Sequence, residues 1–201
     1  MQHVRAASVR VAKSPHGLGL HAAADVLAGA TLLVFTGEVL HRDEVLASAR
    51  DECYPLQLGR WTYLDLDACS RVVNHSCSPN AGLRSDRILV ALRDIGCGEE
   101  ICYDYSTTMS ERRWTMQCRC GDLNCRSTVG DFHDLPTPRQ QHYLQLGVVQ
   151  SFIVEEFWLT VARSDHGKGD SPPPVARNDR GGSDLPSGGS RLPTGVGSEP
   201  H

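Results

Sequence analysis

Arg71-Val72-Val73-Asn74-His75-Ser76-Cys77-Ser78-Pro79-Asn80 is the stretch on which the reading of this chain turns. From Asn74 to Asn80 it packs amide, imidazole, hydroxyl, thiol and proline together, with neither helical nor strand periodicity. Asn, Ser and His side chains bond nearby backbone groups, which suits an irregular loop whose peptides must still be satisfied. Pro79 fixes its own φ and pushes Ser78 towards an extended shape. The simplest alternative is a polar turn following the apolar pair Val72-Val73. Whether the run is more than that depends on what else the chain carries.

Three further stretches stand out. His16-Gly17-Leu18-Gly19-Leu20 follows the alternating segment Ser8–Ala12 and the break at Ser14-Pro15. Its two glycines allow positive φ and close approach of backbone to a ligand. The third glycine of a dinucleotide fingerprint is missing, as is the Lys-Ser/Thr of a phosphate loop, so nucleotide phosphates are poorly supported. Phe35-Thr36-Gly37-Glu38-Val39 ends the strand candidate Thr31–Thr36, and Gly98-Glu99-Glu100-Ile101-Cys102-Tyr103-Asp104-Tyr105 carries two tyrosines on a short strand. Finally, Cys118-Arg119-Cys120-Gly121-Asp122-Leu123-Asn124-Cys125 spaces three thiols as C-x-C-x4-C. Three thiols this close in a reduced chain suggest zinc, which takes four tetrahedral ligands, so a fourth must come from elsewhere.

Taken in order, these motifs resemble the SET-domain protein-lysine methyltransferases with a post-SET zinc motif, over roughly Ser8 to Arg126. The resemblance implies a β-rich α+β fold of short strands, with a knot-like C-terminal segment threading beside the Asn-His-Ser run. It also implies a zinc loop after that segment. Gly17, Leu18, Gly19, Asn74, His75, Tyr105 and Trp114 are then expected to hold S-adenosylmethionine. Tyr105 and Tyr103 are expected at the target amine, with Tyr105 orienting it and Tyr103 governing how many methyl groups it accepts. The fourth zinc ligand is implied to be Cys77, alongside Cys118, Cys120 and Cys125. Tyr54 is a candidate for the wall of the lysine channel. Cys53, Cys69, Cys97 and Cys102 read as small core or surface residues. The chain departs from the family in having no cysteine-rich module ahead of the domain, and in carrying Ile101 where leucine is usual.

Composition agrees with an intracellular globular domain plus a tail. The formal net charge is -4 and the pI about 6.1, so no electrostatic footprint for nucleic acid stands out. No apolar run approaches the roughly 20 residues of a membrane span. The start, Met1-Gln2-His3-Val4-Arg5, lacks the pattern of a secretory signal. Eight cysteines without an export signal point to thiols and metal ligands in a reducing compartment. From Ser164 to His201 there is no aromatic residue, and Gly, Pro and Ser supply 20 of 38 positions, as in a disordered tail.

The expected organisation is a SET domain over 1–112, a post-SET segment over 113–130, helices over 131–163 and the tail over 164–201. Asp43–Glu52 reads as a short helix. Thr137-Pro138-Arg139-Gln140 reads as a capped helix start with Gly147 as its end, and Val149, Phe152, Ile153 and Phe157 recur at helical spacing. The expected activity is methyl transfer from S-adenosylmethionine to lysine in a protein, chiefly mono- or dimethylation, with no nucleic-acid or membrane partner. Two rivals stand beside it: a non-catalytic SET-like module binding a peptide or the cofactor, and a nucleic-acid-binding zinc module. Intact Asn74, His75 and Tyr105 count against the first. The acidic balance counts against the second.

Overall fold

The turn at Pro15-His16 folds β1 (Val9–Ser14) back on β2 (Gly17–Ala22) in a regular antiparallel hairpin. Gly17 at its corner has φ of 112°, a left-handed value that a side chain would resist. The computed structural model describes residues 8–47, 55–112 and 114–166. These lie in one compact unit, Met1–Gly167. The tail from residue 167 on and the Asp43–Glu52 helix beyond Ala47 fall outside the described residues, as do Cys53 and Tyr54, whereas residues 164–166, expected in the tail, continue the last helix.

Three small sheets make the body. In the first, β2 continues to β10 (Glu100–Tyr103), and β10 pairs in parallel with the two-residue β7 (Asn74–His75). The second runs β3 (Thr31–Val34), β9 (Ile88–Ala91), β8 (Ala81–Arg84). The third runs β4 (Gly37–His41), β6 (Thr62–Leu66), β5 (Pro55–Gly59), with α1 (Arg42–Ala47) following β4 directly. Their inner faces bury Leu20, Leu32, Phe35, Leu64, Leu83, Leu89, Ile95 and Ile101 in one apolar core. Each fully buried aliphatic or aromatic side chain there contributes about 1.5–3 kcal/mol.

The chain then adds β11 (Met116–Gln117) paired with β12 (Thr128–Val129), followed by α2 (Thr137–Leu146) and α3 (Ser151–His166). α2 ends at Gly147, whose φ of 65° makes the expected left-handed cap. Its start differs from the sequence reading: Pro136 is the N-cap, and no hydroxyl caps the helix. Gln140 instead turns inward and donates to the carbonyls of Phe132, His133 and Leu135, satisfying backbone left open by the irregular entry. α3 begins at Ser151, so Val149 precedes the helix, and Asp86 caps it from 65 residues away. The Asp86 carboxylate accepts from Ser151 N and Oγ at 2.7 and 2.8 Å. That anchor accompanies positive φ at both Ser85 and Asp86 in the β8–β9 hairpin.

Gly82 marks where the helices meet the sheets. A Cβ placed on it would lie 2.9 Å from Val148 Cβ and Cγ1. Gly82→Ala is therefore expected to destabilise the fold by about 1–3 kcal/mol through overpacking. Thermal unfolding checks this; an unchanged midpoint would show that Val148 has room to yield.

Candidate active site and four-cysteine cluster

β7 brings the Asn-His-Ser run against the tyrosine strand: Asn74 lies opposite Cys102 and His75 opposite Tyr103. Asn80 fixes the far end of the loop. Its buried amide donates to Glu99 Oε1 and the Glu100 carbonyl, and its oxygen accepts from Cys102 N–H. Asn80 thus uses both its amide nitrogen and its oxygen to tie this end of the irregular stretch to β10 and the Glu99 beside it. Ser76 donates to Asp122 and accepts from Ser78 N–H, which links the run to the cysteine loop.

Tyr105 begins a short 3-10 turn after β10 and stands at a junction. Its N–H donates to His75 Nδ1 at 3.2 Å and its hydroxyl to the Val73 carbonyl at 2.8 Å. Its ring lies 4.8 Å from that of Tyr103 and 5.3 Å from that of His75, centroid to centroid. On one side is a narrow cleft walled by Leu56, Leu66, Val73, Tyr103, Met109 and Trp114, with Ser70, Arg71 and Thr108 also in its lining. On the other is a cavity walled by His16, Asn74, His75, Met116 and Gln117. Tyr105 lines both, and no other described residue does. Burial raises the pKa of the Tyr103 phenol, so it stays a neutral donor.

Because Nδ1 of His75 accepts from Tyr105, its ring proton belongs on Nε2, which points at Cys77 Sγ 3.3 Å away. Burial holds the imidazole neutral, lowering its pKa to about 4 against the opposing pull of Asp104. His75 therefore couples the tyrosine turn to the thiols.

The thiols of Cys77, Cys118, Cys120 and Cys125 gather with all four sulfurs within 4.8 Å of one another. Cys77 and Cys118 are 3.7 Å apart. Thiolates on one tetrahedral zinc, with bonds near 2.3 Å, stand about 3.8 Å apart, so the spacing fits such an ion. Backbone N–H groups of Arg126, Cys120 and Ser127 point at Cys77, Cys118 and Cys125 at 3.4–3.5 Å. Burial raises the thiol pKa values of Cys77 and Cys118, an opposition that a bound dication overcomes. Cys69 and Cys97 are exposed and Cys102 is half-buried, all three apart from the cluster.

One part of the site escaped the sequence reading. Asp104, buried between the two tyrosines, accepts both guanidinium arms of Arg126 at 2.6 and 2.7 Å and the Tyr143 hydroxyl at 2.9 Å. Burial pushes its carboxyl up, but Arg126 outweighs that and holds it below the usual range. One carboxylate thereby ties β10, the cysteine loop and α2 together. The only hint was an aspartate inside an apolar strand motif, which demands a cation when buried.

The remaining candidates fall as follows. Leu18 offers its carbonyl to Asn74 Nδ2 at 3.0 Å, while Gly17 and Gly19 lie on β2, following Pro15 and His16, which line a cavity with Asn74. Trp114 lines the narrow cleft with Tyr103, and Met116 and Gln117, on β11 just before Cys118, line the other cavity with Asn74.

This fold and these motifs define a SET domain. Residues 17–106 match the SET domain family model, and that stretch is a SET domain. It is 31% identical over 140 residues to an H3 lysine-4-specific histone-lysine N-methyltransferase of Aspergillus fumigatus, covering 59% of this chain and 11% of that one. Histone-lysine N-methyltransferase trr of Drosophila melanogaster is 32% identical over 126 residues, covering 55% and 5%. Human histone-lysine N-methyltransferase 2D is 33% identical over 129 residues, covering 55% and 2%. A chain of a humanized mutant of the Chaetomium thermophilum Polycomb Repressive Complex 2 aligns at a TM-score of 0.47 and 26% identity, over 52% of this chain and 16% of that one. The chain thus spans only a small fraction of these relatives' lengths.

Proposed function

We propose that this domain transfers a methyl group from S-adenosylmethionine to the side-chain amine of a lysine in a protein. The observation that carries the reading is the position of Tyr105 between two cavities. One reaches Asn74 and His75; the other is a narrow cleft whose Leu56, Leu66, Val73, Met109 and Trp114 walls suit an aliphatic stem, with Ser70, Arg71 and Thr108 supplying its polar lining. A transfer between two bound molecules needs two sites meeting at one orienting group.

The cofactor supplies an electrophilic methyl group on a positive sulfonium. Leu18, Asn74 and His75 would hold it, and Met116 and Gln117 would complete its pocket. A lysine amine has a reference pKa of about 10.4 and must lose its proton to react. The walls of Leu56, Leu66, Val73 and Trp114 exclude water and disfavour the ammonium form. Tyr105 and Tyr103 present hydroxyls at the inner end and fix the direction of the amine. Cys77, Cys118, Cys120 and Cys125 would hold one zinc ion, in the manner of a post-SET loop, and so tie the cysteine segment over the site. The parallel β7–β10 pairing supports the knot-like threading of the segment after β10. The division at residues 112, 130 and 163 belongs to the same reading, with α3 extending to His166. The histone substrates named for the relatives supply a first substrate class to try. A reducing intracellular compartment suits four free thiolates.

Tyr103 bears on the number of methyl groups. Its phenol is buried at the cleft, where it can hold the amine or a water in volume that a methylated amine needs. Giving up such a buried bond costs about 1 kcal/mol. Wild type is expected to make chiefly monomethyl-lysine, and Tyr103→Phe to shift product towards di- and trimethyl-lysine at matched turnover. Mass spectrometry of a histone H3 peptide reads both. Equal product ratios would remove Tyr103 from this role. Calorimetric binding of S-adenosylhomocysteine tests the site itself, and its absence would reject the methyltransferase reading.

A further inference from the structure

Gly19 has a use that its place in a glycine motif does not suggest. A Cβ there would sit 2.4 Å from Glu100 Oε1 and 3.0 Å from Ser14 Cβ. β2 lies between β1 and β10 in the sheet, and the missing side chain is the gap through which Glu100 reaches across it. Both carboxylate oxygens of Glu100 lie 2.7 Å from Ser14 Oγ on β1. Glu100 Oε1 also accepts from Asn74 Nδ2 at 2.7 Å, and that same nitrogen donates to the Leu18 carbonyl at 3.0 Å.

A carboxylate and a carbonyl are acceptors only, so the Asn74 amide has one permitted orientation. Its two hydrogens are consumed by Glu100 and Leu18. What remains is Oδ1, an acceptor without a partner among the described residues, on a side chain that lines two cavities. The arrangement selects a ligand that offers an N–H or O–H there, and it rejects one that offers only an acceptor.

We propose that Glu100, steadied by Ser14 and admitted by Gly19, is a positioning residue that locks Asn74 with its carbonyl oxygen towards the cofactor. The proposal rests on the cofactor assignment above. Without Glu100 the amide loses one anchor and rotates freely enough to present its NH2 to the ligand instead. Gln at position 100 keeps an oxygen for Asn74 and an amide for Ser14, so it preserves the lock without the charge.

Isothermal titration of full-length protein with S-adenosylhomocysteine tests this, alongside thermal unfolding of each variant. Glu100→Ala is expected to weaken binding about tenfold, the loss of one hydrogen bond to a charged group. Ser14→Ala should weaken it in the same direction by less, and Glu100→Gln should stay within about threefold of wild type. In NMR spectra of the free protein, the Asn74 side-chain amide pair, identified by its loss in Asn74→Asp, should shift in Glu100→Ala and hold its place in Glu100→Gln. Wild-type affinity in Glu100→Ala overturns the lock while leaving the cofactor site intact. Equal weakening in Glu100→Gln and Glu100→Ala overturns it in favour of charge alone. Failure of wild type to bind rejects the cofactor assignment and the lock together.

Discussion

Tyr105→Phe is expected to fold, to bind S-adenosylhomocysteine nearly as wild type does, and to lose methyl transfer by about a hundredfold. The hydroxyl it removes donates to the Val73 carbonyl and belongs to the residue that lines both cavities. That position fixes the Tyr105 ring against Tyr103 and His75, so the change falls on the orientation of the reacting groups. The Val73 carbonyl loses a partner, a stability loss of about 1 kcal/mol that thermal unfolding can register. The discriminating result is the split between intact binding and lost turnover. Wild-type turnover by the variant would exclude Tyr105 from the chemistry, and loss of binding with turnover would make it a cofactor residue alone.

The second large effect concerns the thiols. Purified protein is expected to carry about one zinc ion, and Cys77→Ser and Cys120→Ser should each lose most of it. The expectation follows from four sulfurs within 4.8 Å, contributed by segments 41 or more residues apart in sequence. Cys77 also accepts from Arg126 N–H and faces His75 Nε2, so its loss should loosen the cysteine loop and the Tyr105 turn together. Elemental analysis measures the metal, and limited proteolysis between Arg112 and Ser127 reports the loop. Full zinc occupancy in Cys77→Ser would place the fourth ligand elsewhere.

What the sequence disclosed was what depends on local order. Asn74 to Asn80, the Tyr103-Asp104-Tyr105 run and the C-x-C-x4-C spacing are contiguous, and each carries its chemistry in adjacent residues. Strands with clear apolar patterning, such as Ile88–Ala91 and Thr62–Leu66, were legible for the same reason. Ala81–Arg84 and Pro55–Gly59 were not, since the first carries alanine and glycine and the second proline and glycine, residues of low strand propensity. The interactions that bind the site into one body are long-range: Asp104 with Arg126 and Tyr143, Asp86 with Ser151, and Glu100 with Ser14. Nothing local in Arg126 or Tyr143 announces a partner 22 or 39 residues away. Gly19 shows the same limit. Its motif suggested close approach of a ligand, whereas the approach seen is that of the Glu100 side chain. Trp114 was the nearest aromatic to the cysteine loop in sequence, yet it lines the narrow cleft with Tyr103, while Met116 lines the cavity with Asn74.

Transfer of a tritium-labelled methyl group from S-adenosylmethionine tests the central claim most directly. Full-length wild type and Tyr105→Phe are incubated with recombinant histone H3 and, in parallel, with whole-cell lysate, and labelled bands are hydrolysed to amino acids. The account predicts label recovered as methyl-lysine with wild type and nearly none with Tyr105→Phe. Label recovered on another residue, or no transfer to any protein by a wild-type chain that binds the cofactor, would contradict it.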